Sequence, residues 1–240
     1  MIFSPSPIRH FLLFHSCASR TSLVPLRAAP KALAKSGFSG TNTVPNFLFR
    51  GNRKATRLLL DHLDLEEVEL QAPKEHMQYV LEKYEPNWSH ELMLMVLHKG
   101  REELHTSHPI ARLDASDAEQ IAAIMNKADP KSWGNITKDQ IIEEISRESW
   151  TGVKVDGEPA SICKTRLAEV GHIAIVATRE THRNKGYATS LVSHSVQAIS
   201  NKTSTAMIYV LNDNQPAIRV YERVGFKPYK TYYFMKGKKR

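Results

Sequence analysis

The segment HRNKGYATSL, residues 182–191, places two cations and a glycine in front of an apolar run with helical spacing. A strand-like apolar segment, residues 171–178, precedes it, so Gly186 stands where a strand turns into a helix. The first amides of a helix lack intrahelical acceptors and carry partial positive charge, which favours anions. Glycine lets a phosphate approach the backbone, and Arg183 and Lys185 add formal charge. The segment therefore predicts a turn that binds pyrophosphate.

Two familiar nucleotide motifs do not fit this turn. Its spacing is neither G-x-x-x-x-G-K-[ST] nor G-x-G-x-x-G, which excludes the P-loop and the dinucleotide fingerprint. A lone glycine at a helix start also occurs in tight turns whose cations are merely solvated. On its own, the turn leaves both interpretations open.

A second segment, NQPAIRVYERVGF at residues 214–226, strengthens the phosphate interpretation. With the first segment it resembles the two signatures of the GNAT acyltransferase superfamily. The signature Arg/Gln-x-x-Gly-x-Gly/Ala and the signature Asn-x-x-Ala-x-x-x-Tyr-x-x-x-Gly-Phe are matched by Arg183, Gly186, Ala188, Asn214, Ala217, Tyr221, Gly225 and Phe226. The resemblance covers residues 109–236 well and residues 46–98 only faintly. The layout also resembles two-lobed members such as the glycine N-acyltransferases.

The resemblance implies an α/β (α+β) fold with a central mixed, mostly antiparallel sheet flanked by helices. Strand patterns that alternate with helix patterns favour such a layered fold over a sandwich. We expect a poorly ordered basic leader at 1–45, a partial, non-catalytic GNAT-like module at 46–100, and a catalytic N-acetyltransferase domain at 109–240. Residues 98–108 are predicted to form a polar linker.

An internal similarity supports the two-module organisation. A shift of 140 residues lays residues 68–96 over residues 208–236 without a gap, and both read as strand, helix, strand. The first copy has Leu81 where the second has Tyr221, and nothing before it resembles HRNKGYA. The first copy is therefore interpreted as a shortened, non-catalytic relative of the second.

Local signals predict several further elements. Asp156-Gly157 between alternating segments predicts a hairpin. Ser116 with Glu119, and Thr137 with Gln140, have the spacing of helix capping boxes. Residues 109–115 are predicted to be a strand.

The resemblance implies direct acyl transfer from coenzyme A to an amine, with acetyl-CoA or another acyl-CoA as co-substrate and no metal. The backbone of Val176, Ala177 and Thr178 would bind the pantetheine arm, and an N–H near Val176 would polarise the thioester carbonyl. The pyrophosphate would be held by Arg183, Asn184, Lys185, Gly186, Tyr187 and Ala188. Asn214 would bind pantetheine or cap its helix, and Tyr221 would protonate the departing thiolate.

The general base is left open among three candidates. Strict strand alternation puts His172, Ala174, Val176 and Thr178 on one face, and His172 titrates near neutrality. Glu169 is a second candidate and a chain of waters is a third. The acceptor is also open: it is expected to be a small-molecule or peptide amine. The alternative function is a regulatory module that binds coenzyme A or acyl-CoA without turnover.

Composition bounds the remaining possibilities. The net charge of +8 comes from residues 1–60, which hold nine of the 33 Lys and Arg residues and no Asp or Glu. This distribution and the lack of a matching motif argue against nucleic acid, and no apolar run approaches the roughly 18 residues of a membrane span. The basic, acid-free N-terminus favours a leader on a cytoplasmic protein, with a mitochondrial transit peptide as the alternative. Cys163, one of two cysteines, is expected to be a buried core residue.

Overall fold

The computed structural model describes residues 33–34, 46–49, 52–129 and 135–240. Most of the predicted leader therefore lies outside the described residues. Within it, the short strand β1 (Leu33–Ala34) pairs antiparallel with β2 (Asn46–Phe49). The chain divides into two compact units, one comprising residues up to Met93 together with Lys230–Arg240, the other comprising Leu94–Tyr229.

The first unit combines strands with two helices. After β1 and β2 come α1 (Arg53–His62), β3 (Glu67–Pro73), a short 3-10 helix (Lys74–His76), α2 (Met77–Lys83) and most of β4 (Tyr84–His98). The last strand, β10 (Lys227–Lys239), pairs antiparallel along β3, while β2 pairs with β3 in parallel. This pairing explains why residues 230–240 group with the first unit, although the sequence analysis assigns them to the catalytic domain.

Alternating burial along β3 builds the core of the first unit. Val68, Leu70 and Ala72 are fully buried and pack with Val80 of α2. Leu81 is partly buried against the same cluster. This unit thus has an apolar core of its own, formed by the inward face of β3 and α2.

The second unit contains the remaining elements. They are the end of β4, β5 (Ala111–Arg112), a 3-10 helix (Ala115–Asp117), α3 (Ala118–Ala128), α4 (Lys138–Ile145), β6 (Ser149–Val155), β7 (Glu158–Leu167), β8 (Gly171–Thr178), a 3-10 helix (Glu180–His182), α5 (Tyr187–Ser200), β9 (Thr205–Leu211), α6 (Gln215–Val224) and the start of β10. The strand order in this unit is β4-β9-β8-β7-β6-β5. Its pairs are antiparallel from β5 to β8, and β8 pairs with β9 in parallel.

Helices cover both faces of the sheet in the second unit. On one face α4 reaches β7 through an ion pair between Glu144 and Lys164 at 2.6 Å. On the other face α5 reaches β7, where Ser195 Oγ accepts a hydrogen bond from Thr165 Oγ1 at 2.9 Å and lies 3.2 Å from Cys163 Sγ. The fold is therefore the predicted mixed, mostly antiparallel sheet flanked by helices.

Predictions that rest on short-range signals match the structure closely. Asp156 and Gly157 form the turn between β6 and β7 with φ of 52° and 81°. Thr137 and Gln140 form the predicted capping box of α4. Two other predictions are wrong: the strand predicted at 109–115 is only Ala111–Arg112, and the capping box near α3 is formed by Asp114 and Asp117.

None of the helices in the described ranges combines the length and the apolar composition that a bilayer-spanning helix requires.

Candidate functional site

The turn before α5 has the conformation that its glycine permits. Gly186 adopts φ of 82° and Asn184 φ of 63°, both in the left-handed region. Arg183 and Lys185 are exposed, as are Asn184 and Gly186. Ser190 is bonded to the Gly186 carbonyl (N to O, 3.1 Å), so the amides before Ser190 in the first turn have no acceptor within the helix. The turn thus combines free amides, two exposed cations and a glycine.

Two parallel strands part next to this turn. Pairing between β8 and β9 is confined, among the described residues, to Gly171–Ile173 opposite Ala206–Ile208. Beyond that point the β8 backbone at residues 174–178 has no strand partner on its β9 side, although β7 pairs along its other side. An exposed strand edge of this kind can accept an extended ligand as an added strand.

A β-bulge in β8 changes which side chains share a face. On β7 and β8, Cys163 lies opposite Val176 and Arg166 lies opposite His172. The register shifts between these two pairs, because Ala174 of β8 has no Cα partner on β7. Directly opposed residues on paired strands point to the same face, so the shift reverses the alternation. His172 therefore lies on the α4 face, opposite to Val176, and the expectation that His172, Ala174, Val176 and Thr178 share one face is wrong.

The segment predicted to bind pantetheine lies at the end of β8. The carbonyl of Ala177 accepts a hydrogen bond from Ser161 Oγ at 3.1 Å, and Thr178 Oγ1 lies 2.8 Å from the same Ser161 oxygen. Val176 is half-buried on the face that carries α5. A cleft of about 160 Å³ lies beside this strand end and is lined by residues that include Lys127, Thr178 and Arg183.

Tyr221 is buried on α6, on the same side of the sheet as Val176. It is only 6% exposed, and its ring packs against that of Phe226 with centroids 6.3 Å apart. Burial raises the pKa of the Tyr221 phenol well above its usual value, and the electrostatic influence of Cys163 raises it further. Since Cys163 is the strand partner of Val176, the phenol lies near the part of β8 that has left β9.

Local signals at both ends of α6 hold this tyrosine in place. The Asn214 side chain accepts a hydrogen bond from the Ala217 amide at 3.2 Å, so Asn214 is the N-cap of α6. Pro216 follows in the first turn. Gly225 ends the helix with φ of 107°, and an added Cβ there would collide with the carbonyl of Arg101. The cap interpretation of Asn214 is thus confirmed.

The candidate bases lie at the opposite end of β8 from Gly186. Glu169 is exposed in the loop that leads into the strand, and His172 is half-buried with its ring 6.0 Å from that of Tyr209. Four residues of strand separate His172 from Val176, or about 13 Å. The structure brings Val176 and Tyr221 to one face and places His172 on the other.

Cys163 is a buried core residue, as predicted. Burial raises the pKa of its thiol to about 11, and hydrogen bonds from Ser195 and Thr165 oppose that rise. A thiol with such a pKa is a poor nucleophile at neutral pH.

Acidic side chains of α4 are engaged in ion pairs. Glu143 lies 2.5 Å from Arg147, and Glu144 lies 2.6 Å from Lys164, which is only 2% exposed. Desolvation lowers the pKa of Lys164, while Glu144 opposes that shift. Glu143 therefore pairs with a residue just after α4, and Glu144 links α4 to β7 of the sheet.

One residue near the turn was missed by sequence reasoning. His108, at the end of the predicted linker, places its Cε1 atom 3.3 Å from the position that a Cβ on Gly186 would occupy. Its ring also meets that of Tyr187 edge-on, with centroids 4.7 Å apart. No pattern in a polar segment indicates such a contact, because it depends on the path of the chain over α5.

Comparisons with known proteins agree with this geometry. Residues 155–235, which contain both signature segments, match the family described as FR47-like protein. An N-alpha-acetyltransferase from Saccharolobus solfataricus is 37% identical over 67 residues, which are 27% of this chain and 40% of that relative. An N-alpha-acetyltransferase from Sulfurisphaera tokodaii is 26% identical over 156 residues, or 58% of this chain and 90% of the relative.

Solved structures share the fold. A GNAT-family structure from Novosphingobium aromaticivorans superposes with a TM-score of 0.59 at 18% identity, covering 80% of this chain and 84% of the other. At that identity the similarity is one of fold.

The parted strands, the glycine turn and the matches together define an enzyme class, that of the N-acetyltransferases. The FR47-like match, the N-alpha-acetyltransferase relatives and the fold similarity support a relationship of this chain to the GNAT superfamily.

Proposed function

We propose that this protein transfers an acetyl group from acetyl-CoA directly to a primary amine. The observation that carries the proposal is the parting of β8 from β9 immediately beside the Gly186 turn. An open strand edge and a cationic turn at one end of it are complementary to a ligand with an amide-containing arm and a diphosphate.

The residues of the turn and the strand end would hold the cofactor. Amides of residues 185–188 would bind the diphosphate, with Arg183 and Lys185 supplying charge. Backbone groups of Val176, Ala177 and Thr178 would pair with the pantetheine arm. The engagement of the Ala177 carbonyl by Ser161 supports Val176 and Thr178 as the principal partners on this segment.

Catalysis would rely on hydrogen bonding and proton movement by the protein. The Val176 amide would donate a hydrogen bond to the thioester oxygen, which stabilises negative charge by a few kcal/mol. The amine forms a bond to the carbonyl carbon, the carbon–sulfur bond breaks, and the Tyr221 hydroxyl would donate to the departing sulfur. The raised pKa of Tyr221 keeps this hydroxyl protonated at neutral pH.

The attacking amine must also lose a proton to a base. His172 lies on the α4 face, about 13 Å along β8 from Val176, so a proton from the amine would reach it through a chain of waters. Glu169, exposed at the start of β8, could relay it to solvent, and a chain of waters could do the same. His172 is the first of these to test by mutation.

The names of two relatives support one class of acceptor. Two archaeal relatives carry the name N-alpha-acetyltransferase, which supports an α-amino group, on a peptide or a small molecule, as the acceptor. Location in the cytoplasm is proposed with it, and fluorescence imaging of the full chain with a C-terminal fluorescent protein tests that location against mitochondria.

The experiment mixes the full chain and acetyl-CoA with an amine panel and follows thiol release and product mass. The panel contains a peptide with a free N-terminus and no lysine, the Nα-blocked peptide with one lysine, a polyamine and a free amino acid. The expected result is thiol release with acetylation of the first peptide. Binding of coenzyme A without thiol release would favour the regulatory module, and no binding would overturn the proposal.

A further inference from the structure

Residues 99–110 form a strap over the second unit, although the sequence predicts only a polar linker. This strap contains no helix or strand, yet it is fixed to its own unit along its length. The fixing contacts are Lys99 N to Ser204 O at 2.9 Å, Glu103 N to Val224 O at 3.0 Å, His105 N to Ser193 Oγ at 2.9 Å and His108 Nδ1 to Ser190 Oγ at 3.0 Å. The strap thus follows α5 and ends at the first turn of that helix.

Three contacts orient the His108 ring at this turn. Its Nδ1 lies 3.0 Å from Ser190 Oγ, its ring packs edge-on against Tyr187 at an interplanar angle of 88°, and its Cε1 faces Gly186. Nε2 is bonded to Cε1, so it lies beside the same glycine. Within the described part of the chain, this Nε2 has no protein hydrogen-bond partner.

We propose that His108 is a further binding residue for the diphosphate of the acyl-CoA cofactor, and this assignment rests on the proposed function. In the tautomer that this role requires, Ser190 Oγ donates to Nδ1 and the ring proton lies on Nε2. Nε2 then donates a hydrogen bond to a phosphate oxygen held at the Gly186 turn. A hydrogen bond to a charged oxygen is stronger than a neutral one.

A purely structural role would have a different signature. If the ring only fills the space beside Gly186, its replacement would disturb α5 and weaken the binding of every ligand of the site to the same extent. If Nε2 binds phosphate, its replacement weakens only those ligands that carry the diphosphate. Two variants separate the two nitrogens: His108→Asn retains a polar group near the Nδ1 position, and His108→Gln reaches the Nε2 position.

The test measures dissociation constants of coenzyme A and dephospho-coenzyme A by calorimetry on the full chain. It also measures kcat/KM with acetyl-CoA and with S-acetyl-pantetheine, which has no phosphate. We expect His108→Asn to weaken both coenzyme A ligands about tenfold. We expect His108→Gln to recover most of that loss, and acetyl-pantetheine turnover to stay unchanged in both.

The matched control is His105→Asn on the same strap. The His105 ring lies 3.3 Å from the Arg223 carbonyl, away from the turn, so this variant should leave both dissociation constants unchanged. The assignment is overturned if His108→Asn binds coenzyme A like the wild type, or if it slows acetyl-pantetheine and acetyl-CoA equally. The assignment is also overturned if His108→Asn weakens the binding of coenzyme A and leaves that of dephospho-coenzyme A unchanged. The contact would then be to the 3′-phosphate. A wild-type chain that binds neither ligand overturns the proposed function itself.

Discussion

Two strand–helix–strand segments of this chain have the same element order and different chemistry. The first is β3, α2 and β4, and the second is β9, α6 and β10, at the 140-residue spacing seen in the sequence. In the first, no side chain of the described residues caps α2, and the helix runs directly into the extended Tyr84. In the second, Asn214 caps α6 and Gly225 ends it in the left-handed conformation.

The two helices also differ in what they bury. Leu81 packs with the apolar cluster of the first unit and has no polar group to offer. Tyr221, at the equivalent position, is buried with its ring against Phe226 and within electrostatic range of Cys163. A strand–helix–strand segment by itself therefore only fills a core. The proposed chemistry needs the phenol, the glycine turn and the parted strands, and within the described ranges these features lie beside the second segment.

The largest effect is expected from Gly186→Glu. The new side chain would force the left-handed φ of 82° on a non-glycine residue and would bring negative charge to the diphosphate. Coenzyme A affinity measured by calorimetry should fall by about 100-fold or more.

The matched control is Gly157→Glu in the β6–β7 turn. Gly157 has nearly the same φ, 81°, and open space around its Cβ position. This variant carries the same charge and backbone strain and should keep wild-type affinity. Equal losses of coenzyme A affinity in the two variants would show that the Gly186 turn does not bind the diphosphate.

Tyr221→Phe should lower kcat by roughly 10- to 100-fold, because the departing sulfur loses its hydrogen-bond donor. The KM for acetyl-CoA should change little, since the ring remains. Steady-state thiol release measures both constants.

Tyr84→Phe provides the counterpart in the first unit. Tyr84 is fully buried, and its hydroxyl donates to the Leu63 carbonyl at 3.1 Å. Loss of that bond should cost about 1 kcal/mol of stability and leave kcat unchanged. A rate unaffected by Tyr221→Phe would remove the tyrosine from the mechanism.

Two asparagine caps allow a smaller effect to be compared between units. Asn52 accepts from the Ala55 amide at 2.9 Å, just as Asn214 accepts from Ala217. Each Asn→Ala variant should lose about 1 kcal/mol of unfolding free energy in denaturant titrations. If Asn214 also binds pantetheine, Asn214→Ala weakens coenzyme A binding and Asn52→Ala does not. Asn214→Ser, which keeps the cap, then weakens coenzyme A binding as well.

The smallest change is expected in the alkaline pH profile. Because burial raises the folded-state pKa of Tyr221 above its ordinary value near 10, the phenol stays protonated as pH rises. The kcat should therefore show no descending limb assigned to Tyr221 between about pH 8 and about pH 10. A limb in this range that disappears in Tyr221→Phe would contradict the assigned environment.

The sequence determined those features whose cause lies within a few residues. Asp156-Gly157 fixes a hairpin, Thr137 and Gln140 cap a helix, and Gly186 marks a left-handed turn before α5, because each depends on local backbone geometry. The strand and helix order of both units follows from hydrophobic periodicity for the same reason.

Tertiary structure alone decided the rest. A bulge in β8 puts His172 and Val176 on opposite faces of the sheet. The alternation of side chains along a strand does not predict this bulge, because it depends on the register of β8 with β7. The strap that brings His108 to Gly186 depends on hydrogen bonds to α5 from residues more than eighty positions away. Local propensity acts over one turn of chain, whereas register and chain path are set by contacts distant in sequence.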